Sequence, residues 1–134
     1  NAGVIWAGVV ASYPDMMSQW RRNTPGPAPT APSFARRWQQ EWVGEHGSSN
    51  ENPDFWSSIS ANTYVSDLSG PIQLHHGTAD ESVPVIFSEL LRDEIKAEGG
   101  AVEFYTYEGD NHNLSNYFSL AMTRSIEFFD TYLK

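Results

Sequence analysis

The 134-residue sequence predicts an α/β protein built on a parallel sheet. Three observations lead there. Val4-Ile5-Trp6-Ala7-Gly8-Val9-Val10 is a continuous apolar run rich in β-branched residues, the pattern of a strand covered on both faces. Residues 71–134 alternate strand, helix, strand and helix at lengths suited to right-handed crossovers. The composition, 40% hydrophobic and 13% aromatic, supplies one core in a chain too short for two ordinary domains.

Taken in order, the strand Val4 to Val10 is followed by an irregular stretch containing Pro25, Pro27, Pro29 and Pro32. The fixed φ of proline and its missing N–H exclude regular helix or central strand there. Ser33 is positioned to cap a helix from Phe34 to Val43, with Phe34, Trp38 and Trp42 on one face and Gly44 as its stop. Asn52-Pro53 repeats a cap-then-proline start for a short helix through Phe55 and Trp56. Next come Pro71 to His76 as strand, Pro84 to Glu98 as helix, Gly99-Gly100 as its stop and Ala101 to Tyr107 as strand. A last helix is expected from about Leu114 to Leu133. Phe87, Leu90, Leu91 and Ile95 on one of these helices, and Phe118, Met122, Ile126 and Phe129 on the other, are its expected core faces.

Eight basic against seventeen acidic residues give a net charge of −9, which opposes binding to nucleic acid or to an anionic membrane surface. The absence of cysteine excludes disulfides, thiolate metal sites and a cysteine nucleophile. No apolar run approaches the roughly 20 residues that span a bilayer, and the N-terminal residues lack the charged and apolar regions of a signal peptide. A soluble protein is expected. Composition leaves the compartment open, with the cytoplasm favoured.

Two loops carry the chemistry. His76-Gly77-Thr78-Ala79-Asp80-Glu81-Ser82-Val83-Pro84 joins a strand end to a helix, at the sheet edge where open α/β folds bind ligands. Asp80 there either accepts a hydrogen bond from an imidazole or, like Ser82, caps the next helix. Asp110-Asn111-His112-Asn113 leaves the next strand in the same way, which places His112 at the same edge as Asp80. Nucleophile, acid, histidine is the chain order of α/β-hydrolase triads, and the last two occur here in that order.

The stretch His76 to Pro84 resembles the histidine-glycine, aspartate, valine-proline signature of the prolyl oligopeptidase family of serine peptidases, with dienelactone hydrolase-like esterases close behind. Tyr107-Glu108-Gly109-Asp110-Asn111-His112 is similar to that family's histidine loop, with Asn113 where glycine is commoner. Ala2 to Tyr13 and Asn52 to Leu68 resemble more weakly the strand after the nucleophile helix and the connection into the acid-bearing strand. The resemblance implies a partial α/β-hydrolase fold: a three-stranded, mostly parallel sheet with helices on both faces and an irregular proline-rich cap segment. Residues 13–57 would be the cap-like insertion and 71–134 the part bearing acid and histidine.

The resemblance also implies that Asp80 and His112 are catalytic, without metal or organic cofactor, on a peptide or small ester substrate. No Gly-x-Ser-x-Gly occurs; Ser12, Ser48, Ser49 and Ser115 lack the flanking glycines and read as turn or cap residues. The chain is therefore expected to be the C-terminal portion of a serine hydrolase and inactive alone. A non-catalytic interaction module that kept the fold is the second reading. In either case the first strand, left as a sheet edge, is expected to pair in a homo-oligomer or with a missing N-terminal portion.

Other candidates are weaker. His75 and His76 are consecutive on a strand and point to opposite faces, which disfavours a metal pair. Asp110, Asn111 and Asn113 are oxygen donors, but they lack the remaining carboxylates of a calcium loop. Arg21, Arg22, Arg36 and Arg37 either meet an acidic substrate terminus or face solvent. Trp20, Trp38, Trp42 and Trp56 either pack in a core or shape a lid.

Overall fold

The computed structural model describes residues 1–19 and 34–134, the side chains of 34–39 excepted. At its centre β1 (Gly3–Trp6), β2 (Ile72–Gly77) and β3 (Val102–Tyr107) form a sheet in that order. Both pairings are parallel, with Ile5 opposite Leu74 and Leu74 opposite Phe104. The helices are α1 (Tyr13–Gln19), α2 (Phe34–His46), α3 (Pro53–Ser58), α4 (Ile86–Ala97) and α5 (Phe118–Tyr132), and a 3-10 segment over Ala61–Asp67 leads into β2.

The alternation of side chains along β2 explains why both sheet faces are covered. Leu74 packs against Leu91 and Ile95 of α4, and His76 bonds to Ser88 of the same helix. Gln73 and His75 point the other way and reach the Arg124 carbonyl and the Ser125 hydroxyl of α5. Leu74, Phe87 and Ile95 are almost wholly removed from water. Each such burial contributes about 2 kcal/mol. This is the three-stranded parallel sheet with helices on both faces that was expected.

Four expectations need correction. The first strand ends at Trp6: Ala7 has φ 45°, so the chain leaves the sheet there and Val10 turns back to pack beside Val83 and Phe87. The stretch expected to be irregular begins with α1, which Ser12 caps by accepting the Asp15 N–H while bonding to the Asp15 carboxylate. Helix α2 runs through Gly44, and Gly47 at φ 79° ends it. The last helix starts at Phe118, because Leu114 at φ 51° breaks the helical path before it.

The apolar stripe expected on α5 meets the sheet only at its first residue, where Phe118 lies edge-on to Trp6 at 5.5 Å; Met122, Ile126 and Phe129 are exposed, while Ala121, Ser125 and Phe128 are buried. Small residues line the contact because large side chains of the sheet already fill it: Trp6 donates its indole N–H to Ser125, and its ring lies against His75.

Trp42 and Trp56 meet in an aromatic cluster with Tyr13 and Phe55, and Trp56 is fully buried with its N–H on the Gly47 carbonyl. Trp20, Arg21, Arg22, the four prolines and Ser33 lie outside the described residues, as do the side chains of Phe34, Arg36, Arg37 and Trp38. Among the described residues, no helix is long and apolar enough to cross a membrane.

Candidate active site

The site begins as two loops at the carboxyl ends of β2 and β3, held together by backbone. Thr78 N–H donates to the Tyr107 carbonyl, Ala79 N–H to the Asp110 carbonyl, and Gly109 N–H to the Thr78 hydroxyl. Gly77 is the residue that permits this contact. Any side chain there would overlap the carbonyl oxygens of Asp110 and Asn111, so glycine serves close approach of the loops and not a special φ.

On this base Asp80 and His112 meet. His112 Nδ1 lies 2.8 Å from Asp80 Oδ2. The carboxylate accepts only, so Nδ1 carries the proton and Nε2 is left as the basic nitrogen. The Asp80 side chain is inaccessible to water, whereas that of His112 is 41% exposed. No partner for Nε2 is found among the described residues, and His112 borders an open cleft of about 490 Å³ shared with Ala79, Glu81, Gly109 and Asn113. A hydrogen bond from an imidazole and a helix cap were alternatives for Asp80; it takes the first, and it does not cap α4, whose N-cap Val85 has no side-chain cap, because Oδ1 instead accepts the N–H groups of Ser82 and Val83 within its own loop at 2.8 and 2.9 Å. Burial works to raise its carboxyl, but the Val83 N–H, His112 and the Ser82 N–H outweigh burial and hold it below the ordinary range.

Two further residues were not assigned to the site from sequence. Asp110 is fully buried and accepts from the N–H groups of Asn111, Asn116 and Tyr117 and from the Asn116 amide. Burial again opposes, and these bonds again win, so its carboxyl lies below the usual range. With both oxygens engaged in this way, Asp110 fixes the loop that presents His112. His76, also fully buried, places Nε2 2.9 Å from the Val83 carbonyl and 3.2 Å from Asp80 Oδ2, with Nδ1 2.7 Å from the Ser88 hydroxyl. The signals were an aspartate eight residues before the helix start at Phe118, and a polar residue on the α4 face of a buried strand.

His75 turns to the opposite face, as the strand period requires. Its Nδ1 is 2.7 Å from the Tyr107 hydroxyl and its Nε2 2.6 Å from Gln73 Oε1. Burial, with Arg124 nearby, lowers its pKa to about 4. Among the described residues no group of His, Asp and Glu is arranged to hold a metal ion.

Residues 30–134 match the model of the prolyl oligopeptidase family. The chain belongs to that family. No curated protein matches it. Among solved structures, the chain is similar to the acylaminoacyl peptidase of Pyrococcus horikoshii, with a TM-score of 0.62 and 21% identity over 96% of this chain and 19% of that one. It is also similar to a thermophilic esterase of Thermogutta terrifontis with propionate bound, at TM-score 0.61 and 18% identity over 98% and 42%. A puromycin-hydrolyzing peptidase of Mycobacterium tuberculosis gives 0.60 and 12% over 97% and 18%. These likenesses establish the α/β-hydrolase fold. The chain spans less than half the length of each of these proteins.

Proposed function

We propose that Asp80 and His112 are the acid and base of a serine-hydrolase triad, and that the whole protein is a prolyl oligopeptidase-type peptidase. The observation that carries this is the Asp80–His112 hydrogen bond of 2.8 Å, with His112 lining an open cleft. In this reading a serine from outside these 134 residues gives its proton to His112 Nε2 as it attacks the peptide carbonyl. Asp80 holds the Nδ1–H tautomer and stabilises the imidazolium that forms. The imidazolium then protonates the leaving amine, and water hydrolyses the acyl-enzyme by the same route in reverse. The outer edge of β1 is the place for a further parallel strand, whose carboxyl end would lie on the same side as the two loops.

A carboxylesterase or a dienelactone hydrolase-like enzyme is the second reading, favoured by the likeness to the Thermogutta esterase. An interaction module without catalysis is the third. An in-frame Gly-x-Ser-x-Gly in the coding sequence upstream supports either enzyme, and its absence supports the third. On the protein that carries that serine, kcat/KM for acyl-peptide against short-chain ester substrates separates the first two, with peptide preference expected.

A further inference from the structure

We propose that Asn111 is a positioning residue for His112, its side-chain oxygen setting the backbone turn from which the imidazole reaches Asp80. This rests on the reading of Asp80 and His112 as acid and base, and extends it by one residue.

The need for such a residue follows from how little else holds His112. Its side chain is 41% exposed and borders the open cleft, so packing does not fix the ring. Among the described residues its one side-chain hydrogen bond is to Asp80 Oδ2. That bond survives only while the Cα of His112 stays in place, so the backbone has to supply the constraint.

Asn111 supplies it on both sides of His112. Its Oδ1 accepts the Asn113 N–H at 3.0 Å, the Ser115 N–H at 3.3 Å and the Ser115 hydroxyl at 3.1 Å. A backbone N–H can only donate, so the oxygen of the amide, not its nitrogen, faces the turn. The bond from Asn113 closes a ring with His112 as its middle residue, the local turn that asparagine side chains form with their own backbone, and this confines the φ and ψ of His112. The main-chain carbonyl of Asn111 also accepts the Leu114 N–H, so this one residue takes three successive N–H groups, those of residues 113, 114 and 115.

Strain shows why the turn has to be held. Leu114 has φ 51°, a left-handed conformation unfavourable for a residue with a side chain, and that side chain is buried with Tyr107 and Ala121. The chain would relax out of this conformation unless the N–H groups on either side of Leu114 were fixed, and Asn111 fixes both. Asp110 anchors the far end of the loop through Asn116 and Tyr117. Helix capping does not account for the bonds of Asn111, because α5 starts at Phe118, beyond every donor that it takes.

The test is long-range 1H–15N NMR of the 134-residue chain, at a pH where the rings are neutral, which reads the nitrogen that carries each ring proton. Native His112 should be the Nδ1–H tautomer. In Asn111→Ala the ratio of Nδ1–H to Nε2–H at His112 should fall by about tenfold, the effect of losing the charge-assisted bond to Asp80 as the turn opens. Asn111→Asp keeps the acceptor and should leave the ratio close to native. A role confined to stability would lower the urea midpoint of Asn111→Ala and leave the ratio unchanged, and that result overturns the proposal, as does a ratio lost equally in Asn111→Asp. Should Asn111→Ala fail to fold, amide hydrogen exchange in the native chain decides: protected N–H groups at Asn113 and Ser115 support the proposal, and exchange at the rate of an unstructured chain overturns it. If native His112 is not the Nδ1–H tautomer, the acid-base reading itself fails; a native Nδ1–H tautomer with an unchanged ratio in Asn111→Ala removes Asn111 alone.

Discussion

At the scale of single residues, the site depends on what Asp80 accepts. Every hydrogen bond it makes is accepted from an N–H group, two from its own loop and one from the His112 imidazole. Asp80→Asn keeps the shape but puts an amide N–H or an unmatched oxygen against at least one of these donors. It is expected to cost about 1–3 kcal/mol of stability in urea unfolding. In the enzyme bearing the nucleophile it should lower kcat by about 10⁴, because His112 would then be held in the wrong tautomer. Gly77 is a second sensitive point. Gly77→Ala must push the Asp110 and Asn111 carbonyls away. A loss of about 1–3 kcal/mol is expected, as for other overpacked sites, with broadened His112 resonances reporting the displaced loop.

At the scale of elements, helix starts marked by a cap were legible in the sequence, and the faces that helices bury were not. Asn52 caps α3 as its spacing before Pro53 predicts, accepting the Phe55 N–H while its amide donates to the His46 carbonyl. Asn52→Ala should therefore cost about 1 kcal/mol, measured as a lowered urea midpoint with unchanged slope. Helix α5 shows the limit. Periodicity locates the stripe Phe118, Met122, Ile126 and Phe129, but it cannot say which element meets it, and beyond Phe118 the sheet took the neighbouring positions Ala121 and Ser125. In the same way, β-branched composition marked residues 4–10 as buried without revealing that Ala7 turns the chain out of the sheet. Asp80 and His112 could be paired from the sequence because a triad's chemistry would fix their order and loop position, and the fold does bring the two side chains together. His76 and Asp110 were not, because their roles depend on partners brought close only by folding.

At the scale of the whole molecule, burial of ionisable groups sets the response to acid. His75 is neutral in the fold with a pKa near 4, against 6.5 for the ordinary group. The unfolded chain therefore binds more protons than the folded one between these values, and stability falls as pH drops from about 6.5 to about 4. The loss amounts to about 3 kcal/mol, and is complete below pH 4. Asp80 and Asp110, both held below the ordinary carboxyl range, add a second loss as pH falls below their unfolded values near 4. Glu94 acts in the opposite sense, since burial raises its carboxyl and acid relieves that cost. Urea midpoints should drop between pH 7 and pH 4.5, and His75→Gln should flatten that slope. A slope unchanged by this substitution would remove His75 from the account.

The exposed part of the α5 stripe and the outer edge of β1, unpaired among the described residues, are surfaces of the kind that a further strand and helix, or a second copy, would cover. Light scattering is expected to show a dimer of the isolated chain, and a monomer at all concentrations would count against pairing through these surfaces.

The central claim is that these residues hold the acid and base of a triad whose serine lies elsewhere, and intact-mass spectrometry after incubation with a fluorophosphonate probe tests it most directly. The 134-residue chain is predicted to remain unlabelled, because its sequence contains no Gly-x-Ser-x-Gly nucleophile turn. Stoichiometric labelling of any serine in this chain would contradict the claim.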